Sequence, residues 1–159
     1  MEGLSAYDRE IQSYVDADEI LIDQGHRSKR NPAVAEQFGG ISCIFIDELA
    51  FSTDSERLLA IVHEAAHIEY AGLYDENTPE AERSRIEYHA HRRTVEKLVS
   101  FNDYRNAMLN GCFTAHEQAD KWNIPEWYVP KVHEIYERTR WEDVQRLSAL
   151  VNMKFDFLV

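Results

Sequence analysis

The sequence predicts an α+β protein that is mainly helical, with a small antiparallel sheet before its central helix and a helical C-terminal tail. Apolar residues recur at helical spacing over most of the chain, and three short segments rich in Ile, Val and Phe precede residue 48. A glycine pair, Gly39 and Gly40, separates the last two of these segments. With 159 residues, 44% of them hydrophobic, the chain is long enough for a single domain with a proper core. Within it we expect a core over residues 1–111 and a helical tail over residues 112–159 that packs on the core.

Charge and composition argue against several classes of protein. The formal net charge of −12 repels phosphate backbones, which disfavours direct nucleic-acid binding through a broad surface. No apolar run reaches the roughly 18 residues of a membrane span, and the N-terminus lacks the pattern of a secretory signal. Cys43 and Cys112 lie far apart without the spacing of a disulfide framework, which indicates reduced thiols. We therefore expect a cytoplasmic protein that does not enter a membrane.

The N-terminal part of the chain should form one helix and the sheet. Apolar residues at helical spacing predict an amphipathic helix over residues 5–19. Strands are predicted at residues 19–23, 33–38 and 41–47. Because both glycines of the pair accept positive φ, they predict a tight hairpin turn between the last two strands.

The central helix is predicted over residues 54–72. Thr53 and Glu56 fit a capping box, in which the hydroxyl and the carboxylate each accept a hydrogen bond from the other residue's backbone N–H. Gly72 is the predicted C-terminal stop.

The rest of the chain should be helical. Thr78 as N-cap and Pro79 as first helical residue predict a helix that runs to about residue 100. Further helices are predicted at residues 101–110, 114–122 and 126–140, and the apolar segment of residues 147–159 should pack on the body. Residues 114–138 have helix-turn-helix proportions, which would suggest DNA binding. Since the second of these helices mixes acidic and aromatic residues, packing or protein docking is the better interpretation.

The central helix contains an H-E-x-x-H motif formed by His63, Glu64 and His67. Residues four apart share one helix face, so the two histidines can offer two imidazole nitrogens to one metal ion. Glu64, about 100° round the helix, can hold a water molecule. This pattern is typical of a zinc hydrolase. An isolated motif also occurs by chance, and the two histidines would then be core residues hydrogen-bonded to carboxylates.

A catalytic zinc site needs a third protein ligand and an open position for water. A histidine six residues after His67 is excluded, because Leu73 stands there. Glu87 should face inward beside the apolar stripe of the next helix, and a buried carboxylate needs a partner such as a metal ion. His91, one turn further on, is the rival ligand, whereas His89 points away and should be exposed.

The motif helix, the segment Glu87-Tyr88-His89-Ala90-His91-Arg92-Arg93 and the apolar stretch ending in Leu98-Val99 together resemble the ImmA/IrrE metallopeptidase family, especially its short members from phages and mobile elements. The resemblance covers residues 41–101 well and residues up to 138 more loosely. It implies a zincin-like core in a protein of the bacterial host cytosol. It also implies that the zinc ligands are His63, His67 and Glu87, and that Glu64 is the general base.

By the same resemblance, the chain is a zinc-dependent metallo-endopeptidase that cleaves or antagonises a helix-turn-helix transcriptional repressor. Zinc would lower the pKa of a water molecule to about 7, and Glu64 would take its proton before the hydroxide attacks a peptide carbonyl. The edge of the predicted sheet could hold an extended substrate strand. Tyr74, His91 and Tyr136 are unranked candidates for stabilising the oxyanion.

The alternative function is that of a protein-binding regulator, which keeps a structural zinc site and sequesters its partner without proteolysis. The net charge and a cluster of Trp122, Trp127 and Tyr128 in the tail motivate this alternative. A third hypothesis, a DNA-binding regulator, predicts a DNA affinity that depends on salt.

Overall fold

The computed structural model describes residues 4–17, 20–25 and 30–156. Over these residues the chain is mainly helical, as predicted, with seven α-helices and three strands. Internal contacts divide the chain into two compact units, Met1–Thr94 and Val95–Val159. The division into a core of residues 1–111 and a tail of residues 112–159 concerns domains and stays a prediction. Within the described ranges, no helix combines the length and the apolar character needed to cross a membrane.

The first unit begins with the predicted amphipathic helix α1, Ala6–Ala17. Tyr7 and Tyr14, seven residues apart and therefore on one face, are both buried. The Tyr7 hydroxyl donates to Glu48 Oε1 at 2.8 Å, which ties α1 to the turn after the last strand. The last two residues of the predicted helix, 18 and 19, lie outside the described residues.

Three strands follow, β1 Ile20–Asp23, β2 Ala33–Phe38 and β3 Ile41–Ile46, in the spatial order β1-β3-β2. The predicted hairpin between β2 and β3 is confirmed, since these strands pair antiparallel. Gly39 and Gly40 form its turn with φ values of 57° and 87°, a backbone conformation that residues with a Cβ rarely adopt. Ile44 and Ile46 of β3 have no solvent exposure and form the floor of the core.

The prediction of a purely antiparallel sheet is wrong, because β1 pairs parallel to β3 and the sheet is mixed. The reason lies in where β1 ends and β2 begins, because both points are at the carboxyl end of β3. There Gly25 bridges to Asp47, and the Asp47 N–H donates to the Pro32 carbonyl at 2.7 Å. Since β1 ends and β2 begins at this same end of the sheet, on either side of β3, the two strands run in opposite directions. Only one of them can be antiparallel to β3.

The central helix α2, Asp54–Ala66, starts with the predicted capping box. Thr53 Oγ1 accepts from the Glu56 N–H at 3.2 Å, and Glu56 Oε2 accepts from the Thr53 N–H at 3.1 Å. The helix packs on the sheet with a face of six buried residues: Leu58, Leu59, Ile61, Val62, Ala65 and Ala66.

A π-helical turn, His67–Ala71, continues α2 and ends at Gly72. The Gly72 N–H donates to the His67 carbonyl five residues back at 2.9 Å, and Gly72 has a φ of 90°. The predicted stop at Gly72 is therefore confirmed, while the wider turn before it was not predicted. Such single π turns within helices frequently mark functional sites.

Helix α3, Glu80–Leu98, follows an acidic loop, and the boundary between the two units falls within it. The prediction that Thr78 caps α3 is wrong. Its hydroxyl donates to Asp75 Oδ1 and accepts from the Asp75 N–H, both at 3.1 Å, within the loop. The Pro79 carbonyl instead accepts the first helical bond, from the Arg83 N–H at 3.0 Å. A local turn around Asp75 thus competes for the hydroxyl that the cap would need.

The second unit contains helices α4 Phe101–Leu109, α5 Ala115–Trp122, α6 Val129–Thr139 and α7 Trp141–Asp156. The predicted turn between α5 and α6 is confirmed by Asn123, whose φ of 53° is left-handed. A 3₁₀ turn, Glu126–Tyr128, leads into α6, so that Pro130 lies in the first turn, where its missing N–H is harmless. Four apolar or aromatic residues of α6 are buried, in agreement with the packing interpretation: Val129, Val132, Ile135 and Tyr136.

A histidine joins three helices of the second unit. The Nε2 atom of His133 on α6 lies 2.8 Å from Gln118 Oε1 on α5, and its Nδ1 atom lies 3.0 Å from the Tyr104 hydroxyl on α4. The Gln118 amide nitrogen donates to the Cys112 carbonyl at 2.8 Å, which leaves its oxygen facing His133. The neutral ring therefore donates through Nε2 and accepts from the tyrosine through Nδ1.

Acid is expected to destabilise the second unit through His133. Burial lowers the pKa of this imidazole below its ordinary value. The unfolded chain takes up a proton near pH 6.5 and the folded unit does not, so the free energy of unfolding falls as the pH drops below that value. For a single proton the slope is at most about 1.4 kcal/mol per pH unit. All three tryptophans lie in this unit, so urea unfolding followed by tryptophan fluorescence between pH 5 and 7.5 measures it.

Two variants make this test specific. His133→Gln should flatten the pH dependence, whereas His116→Gln, which changes a largely exposed histidine on α5, should retain it. A wild-type unfolding midpoint that is the same at pH 5.5 and 7.5 would contradict the assignment.

Candidate metal centre

Three side chains from the first unit converge on one point: His63 of α2, His67 of the π turn and Glu87 of α3. Their possible ligand atoms all lie within 4.8 Å of one another. His63 Nε2 is 3.3 Å from Glu87 Oε2, and His67 Nε2 is 3.3 Å from Glu87 Oε1. The structure thus brings together the three residues predicted as metal ligands. Ala90, one turn beyond Glu87, is completely buried, as expected where two helices approach closely.

The π turn orients the ring of His67. Because its hydrogen bond spans five residues instead of four, the turn places the Gly72 carbonyl 3.1 Å from His67 Nδ1. A carbonyl only accepts, so Nδ1 carries the hydrogen and Nε2 faces Glu87 with its lone pair when the ring is neutral. This is the arrangement of a metal-binding histidine, whose second nitrogen commonly donates to a carbonyl or carboxylate.

Thr94 orients the ring of His63. The Thr94 hydroxyl donates to the Ala90 carbonyl at 2.8 Å, so its remaining capacity near His63 Nδ1, 3.4 Å away, is as an acceptor. Thr94 is completely buried, which keeps this contact out of water. Both rings therefore present Nε2 to the same point, with their other nitrogen held by the surrounding structure.

The two lone pairs require a positive charge between the rings and Glu87, because lone pairs and carboxylate oxygens repel at 3.3 Å. Protons on both rings could supply it, but the ring centroids are only 4.9 Å apart, and two adjacent imidazolium ions, one buried and one partly buried, are unfavourable. A divalent metal ion supplies the charge without that repulsion. The donor set of two imidazole nitrogens and one carboxylate is compatible with such an ion.

The electrostatics of the site follow from this cluster. When no metal ion is bound, protonated Nε2 atoms of His63 and then of His67 donate to the Glu87 carboxylate, as does the Tyr74 hydroxyl, and together they hold the pKa of this carboxyl well below its usual range. Burial by itself would lower the pKa of His67, but the hydrogen bonds that the protonated ring donates to Glu87 and to the Gly72 carbonyl raise it when no metal ion is bound. Glu87 is therefore a carboxylate at neutral pH, and the site keeps its negative ligand.

Glu64 lies beside this cluster and is fixed by the sheet. Its Oε2 accepts from the Ala35 N–H of edge strand β2 at 2.8 Å. Burial raises the pKa of this carboxyl, and the neighbouring His63 and His67, together with the Ala35 hydrogen bond, partly offset the rise. The second carboxylate oxygen remains available for a water molecule or a substrate group.

An open cleft of about 340 Å³ gives access to the cluster. Edge strand β2 forms one wall, and the acidic loop before α3 forms the other. The cleft is lined by Asn31, Ala33, Val34, Ala35, His63, Glu64, His67, Leu73, Tyr74, Asp75, Glu76, Arg83 and Glu87. The ligand cluster thus faces solvent on the side of the sheet edge.

The other residues considered from the sequence fall into different places. His91 lies near the cluster, with its ring 4.5 Å from that of His63, but the group of possible ligands contains Glu87 and not His91. His89 is exposed, as predicted. Tyr74 lines the cleft and donates to Glu87 Oε1 at 2.7 Å, which raises the pKa of its hydroxyl to about 12. The Tyr136 hydroxyl instead donates to the Val99 carbonyl within the second unit.

Sequence reasoning missed the groups that orient the ligands: the Thr94 hydroxyl, the Gly72 carbonyl and the Ala35 N–H. For Thr94 a signal existed, because it lies seven residues after Glu87 and therefore on the same helix face. For the two backbone groups no side-chain pattern could have indicated the contact.

Comparison with protein-family models, with curated proteins and with solved structures finds no match to this chain. The function must therefore be argued from the geometry of the site and from the sequence motifs.

Removing the Thr94 hydroxyl is expected to weaken metal binding. Thr94→Val keeps the shape of the side chain but leaves His63 Nδ1–H without its acceptor, and loss of such an outer contact costs roughly 10–100-fold in metal affinity. Thr94→Ser retains the hydroxyl and should bind nearly as well as the wild type. Competition with a chromophoric chelator measures both constants, and equal affinities of the two variants would contradict the role of Thr94.

Proposed function

We propose that this protein is a zinc-dependent metallo-endopeptidase. One observation carries the proposal: His63, His67 and Glu87 converge at the wall of an open cleft, with Glu64 beside them. Contacts at Nδ1 orient both histidine rings so that Nε2 faces the cluster. The competing interpretation, a network of core histidines and a carboxylate, is less favourable because it needs two protonated rings side by side.

Zinc is the metal that suits this donor set best. Catalytic zinc sites have three protein ligands from histidine and carboxylate side chains and a fourth position for water, whereas structural sites use four protein ligands. Here the described residues offer three ligands, and the cleft leaves one side open. This arrangement supports a catalytic site over a structural one.

The residues of the site have separate roles in peptide hydrolysis. Zinc, when bound by His63, His67 and Glu87, lowers the pKa of a water molecule to about 7 and polarises a carbonyl. Glu64 takes the proton of the attacking water on the carboxylate oxygen that Ala35 does not occupy, and passes it to the leaving amine. The hydrogen bond from Ala35 keeps the Glu64 carboxylate in place between these two proton transfers.

Edge strand β2 fits an extended peptide. Ala33 and Ala35 both line the cleft, and alternate residues of an edge strand direct their backbone groups to the unpaired side. The Ala35 N–H donates to Glu64, so the Ala33 N–H and the two carbonyls remain for a peptide. An added strand along β2 would pass Glu64 and the ligand cluster with its peptide bonds exposed to them. A chain bound in this way is cut internally, which favours an endopeptidase.

The proposed substrate follows from the resemblance to the ImmA/IrrE family. Members of that family suggest a zincin-like core, a bacterial cytosolic location and a helix-turn-helix transcriptional repressor as the protein that is cleaved or antagonised. The alternative, a regulator that sequesters its partner, was motivated by an aromatic cluster in the tail. Of its three residues, Trp122 and Tyr128 are buried and Trp127 is exposed, so the three do not form a shared exposed surface for a partner.

Metal analysis and a cleavage assay test the proposal together. The purified chain should contain about one zinc ion and should cut members of a library of extended peptides, as detected by mass spectrometry. A chelator should abolish cleavage, and added zinc should restore it. Protein that binds no zinc would overturn the site, whereas zinc binding without cleavage of any peptide would support the non-proteolytic regulator.

A further inference from the structure

The sheet of the first unit has an outer face that is unusually apolar. Alternate residues of each strand point to opposite sides, and one side carries the buried residues Ile20, Ile44 and Ile46. The cross-strand register places eight residues on the other side. We call this side the outer face; it consists of Leu21, Asp23, Val34, Glu36, Phe38, Ile41, Cys43 and Phe45.

Three large apolar residues of the outer face are open to solvent. Leu21 is 56% exposed, Phe38 58% and Ile41 54%. A solvated face of a small sheet is normally polar, because strands with one buried face alternate apolar and polar residues. Here the outward positions are apolar as well, and contiguous apolar surface of this kind marks an interaction site.

The charges on the outer face indicate what covers it. The outer face has two charged residues, Asp23 and Glu36, and both are negative. The whole chain has a formal net charge of −12. A second copy of the chain would bring like charges together across the interface. A partner with an apolar patch bordered by lysine or arginine has the complementary charge.

The outer face is continuous with the cleft. Val34 belongs to the outer face and also lines the cleft, and β2 is the edge strand between the two surfaces. Strands in a sheet lie roughly 4.8 Å apart, so a protein bound to the outer face is within one strand's width of the position proposed for the substrate peptide.

We infer that the outer face is a docking surface for the protein substrate, which binds through an apolar patch bordered by basic residues and places an adjacent extended segment in the cleft. The part of this inference that concerns substrate rests on the proposed peptidase function. The docking itself does not, since it needs neither zinc nor Glu64.

A binding experiment with the full chain tests the docking. The probe is a fluorescein-labelled helical peptide of 16 residues, with leucine on one face and lysine on the others. Its dissociation constant is measured with the Glu64→Gln variant at about 150 mM salt. Phe38→Ser combined with Ile41→Ser should raise its dissociation constant at least about tenfold, the loss typical of removing central apolar contacts. Leu21→Ser, on the opposite edge of the sheet, should weaken binding independently of the hairpin.

Matched controls separate the outer face from the acidic surface in general. Leu49 is 80% exposed in the same unit but lies outside the sheet, so Leu49→Ser should leave the dissociation constant unchanged. A peptide with glutamate in place of lysine should bind at least about tenfold more weakly, as expected for complementary charge. For the wild-type protein, attaching the leucine–lysine segment to a peptide that the protein cleaves should lower KM for that peptide. Substitutions on the outer face should restore the higher KM without changing kcat.

Three outcomes would overturn the inference: equal binding to the outer-face variants and to Leu49→Ser, equal binding of the basic and acidic peptides, or a wild-type dimer in sedimentation that Phe38→Ser with Ile41→Ser dissociates. The last would identify a second copy as the occupant. If binding depends on Phe38 and Ile41 but no peptide is ever cleaved, the docking surface stands and the peptidase proposal fails.

Discussion

Glu64→Gln is expected to reduce kcat for peptide hydrolysis by about 10²–10⁴-fold while one zinc ion remains bound. Glutamine has almost the same shape, and its amide oxygen can still accept the hydrogen bond that the Ala35 N–H gives to Glu64 at 2.8 Å. It cannot take a proton from water at neutral pH, so only the proton transfer is lost. The measurement combines mass-spectrometric cleavage rates with metal analysis of the same preparation.

The control for this variant is Glu82→Gln on α3, which removes a carboxylate whose side chain is 51% exposed and pairs with Arg85. It should cleave like the wild type. If Glu64→Gln retains its zinc and cleaves at the wild-type rate, the mechanism is wrong. If it loses zinc, Glu64 contributes to metal binding and not only to proton transfer.

Glu87→Ala is expected to lower zinc affinity by more than the roughly 10–100-fold that loss of an outer contact costs, because it removes a ligand and the negative charge between two histidines. Wild-type protein should gain about 4 kcal/mol of stability when free zinc exceeds the dissociation constant 1,000-fold, since zinc binds the folded state. The variant should show no such gain. Thermal unfolding with and without zinc, followed by far-UV circular dichroism, measures it.

Tyr74→Phe provides the matched control for Glu87→Ala. It removes only the hydroxyl that donates to Glu87 Oε1 at 2.7 Å and leaves the carboxylate in place. Its zinc affinity should therefore fall less than that of Glu87→Ala. A Glu87→Ala variant that is stabilised by zinc as strongly as the wild type would show that Glu87 is not a ligand and would direct attention to His91.

The parts of the fold that could be predicted depend on interactions within a few residues of the chain. The capping box of α2 needs only Thr53 and Glu56, and the hairpin turn needs only two glycines that tolerate positive φ. The spacing of His63 and His67 is likewise local, because four residues make about one helical turn. Such features are encoded in short windows of sequence, and the structure contains each of them.

The prediction that failed for the sheet involves a longer connection. Whether β1 runs parallel or antiparallel to β3 depends on which end of β3 the chain reaches when β1 ends, and here Gly25 bridges to Asp47 at the carboxyl end of β3. No short pattern in the strand sequences distinguishes these arrangements, because both place the same apolar residues in the core. The failed cap at Thr78 differs in kind, since a nearby aspartate competed for the hydroxyl.

The sequence by itself determined the chemistry that this protein can offer: two histidines on one helix face, a glutamate beside them and an inward carboxylate on the next helix. Only the tertiary structure decided that these groups meet at one point and which nitrogen of each ring faces it. The orienting contacts come from the Gly72 carbonyl, the Thr94 hydroxyl and the Ala35 N–H, two of them backbone groups. Every residue has such backbone groups, so their positions depend on how the helices and the sheet pack, and the sequence alone does not reveal them.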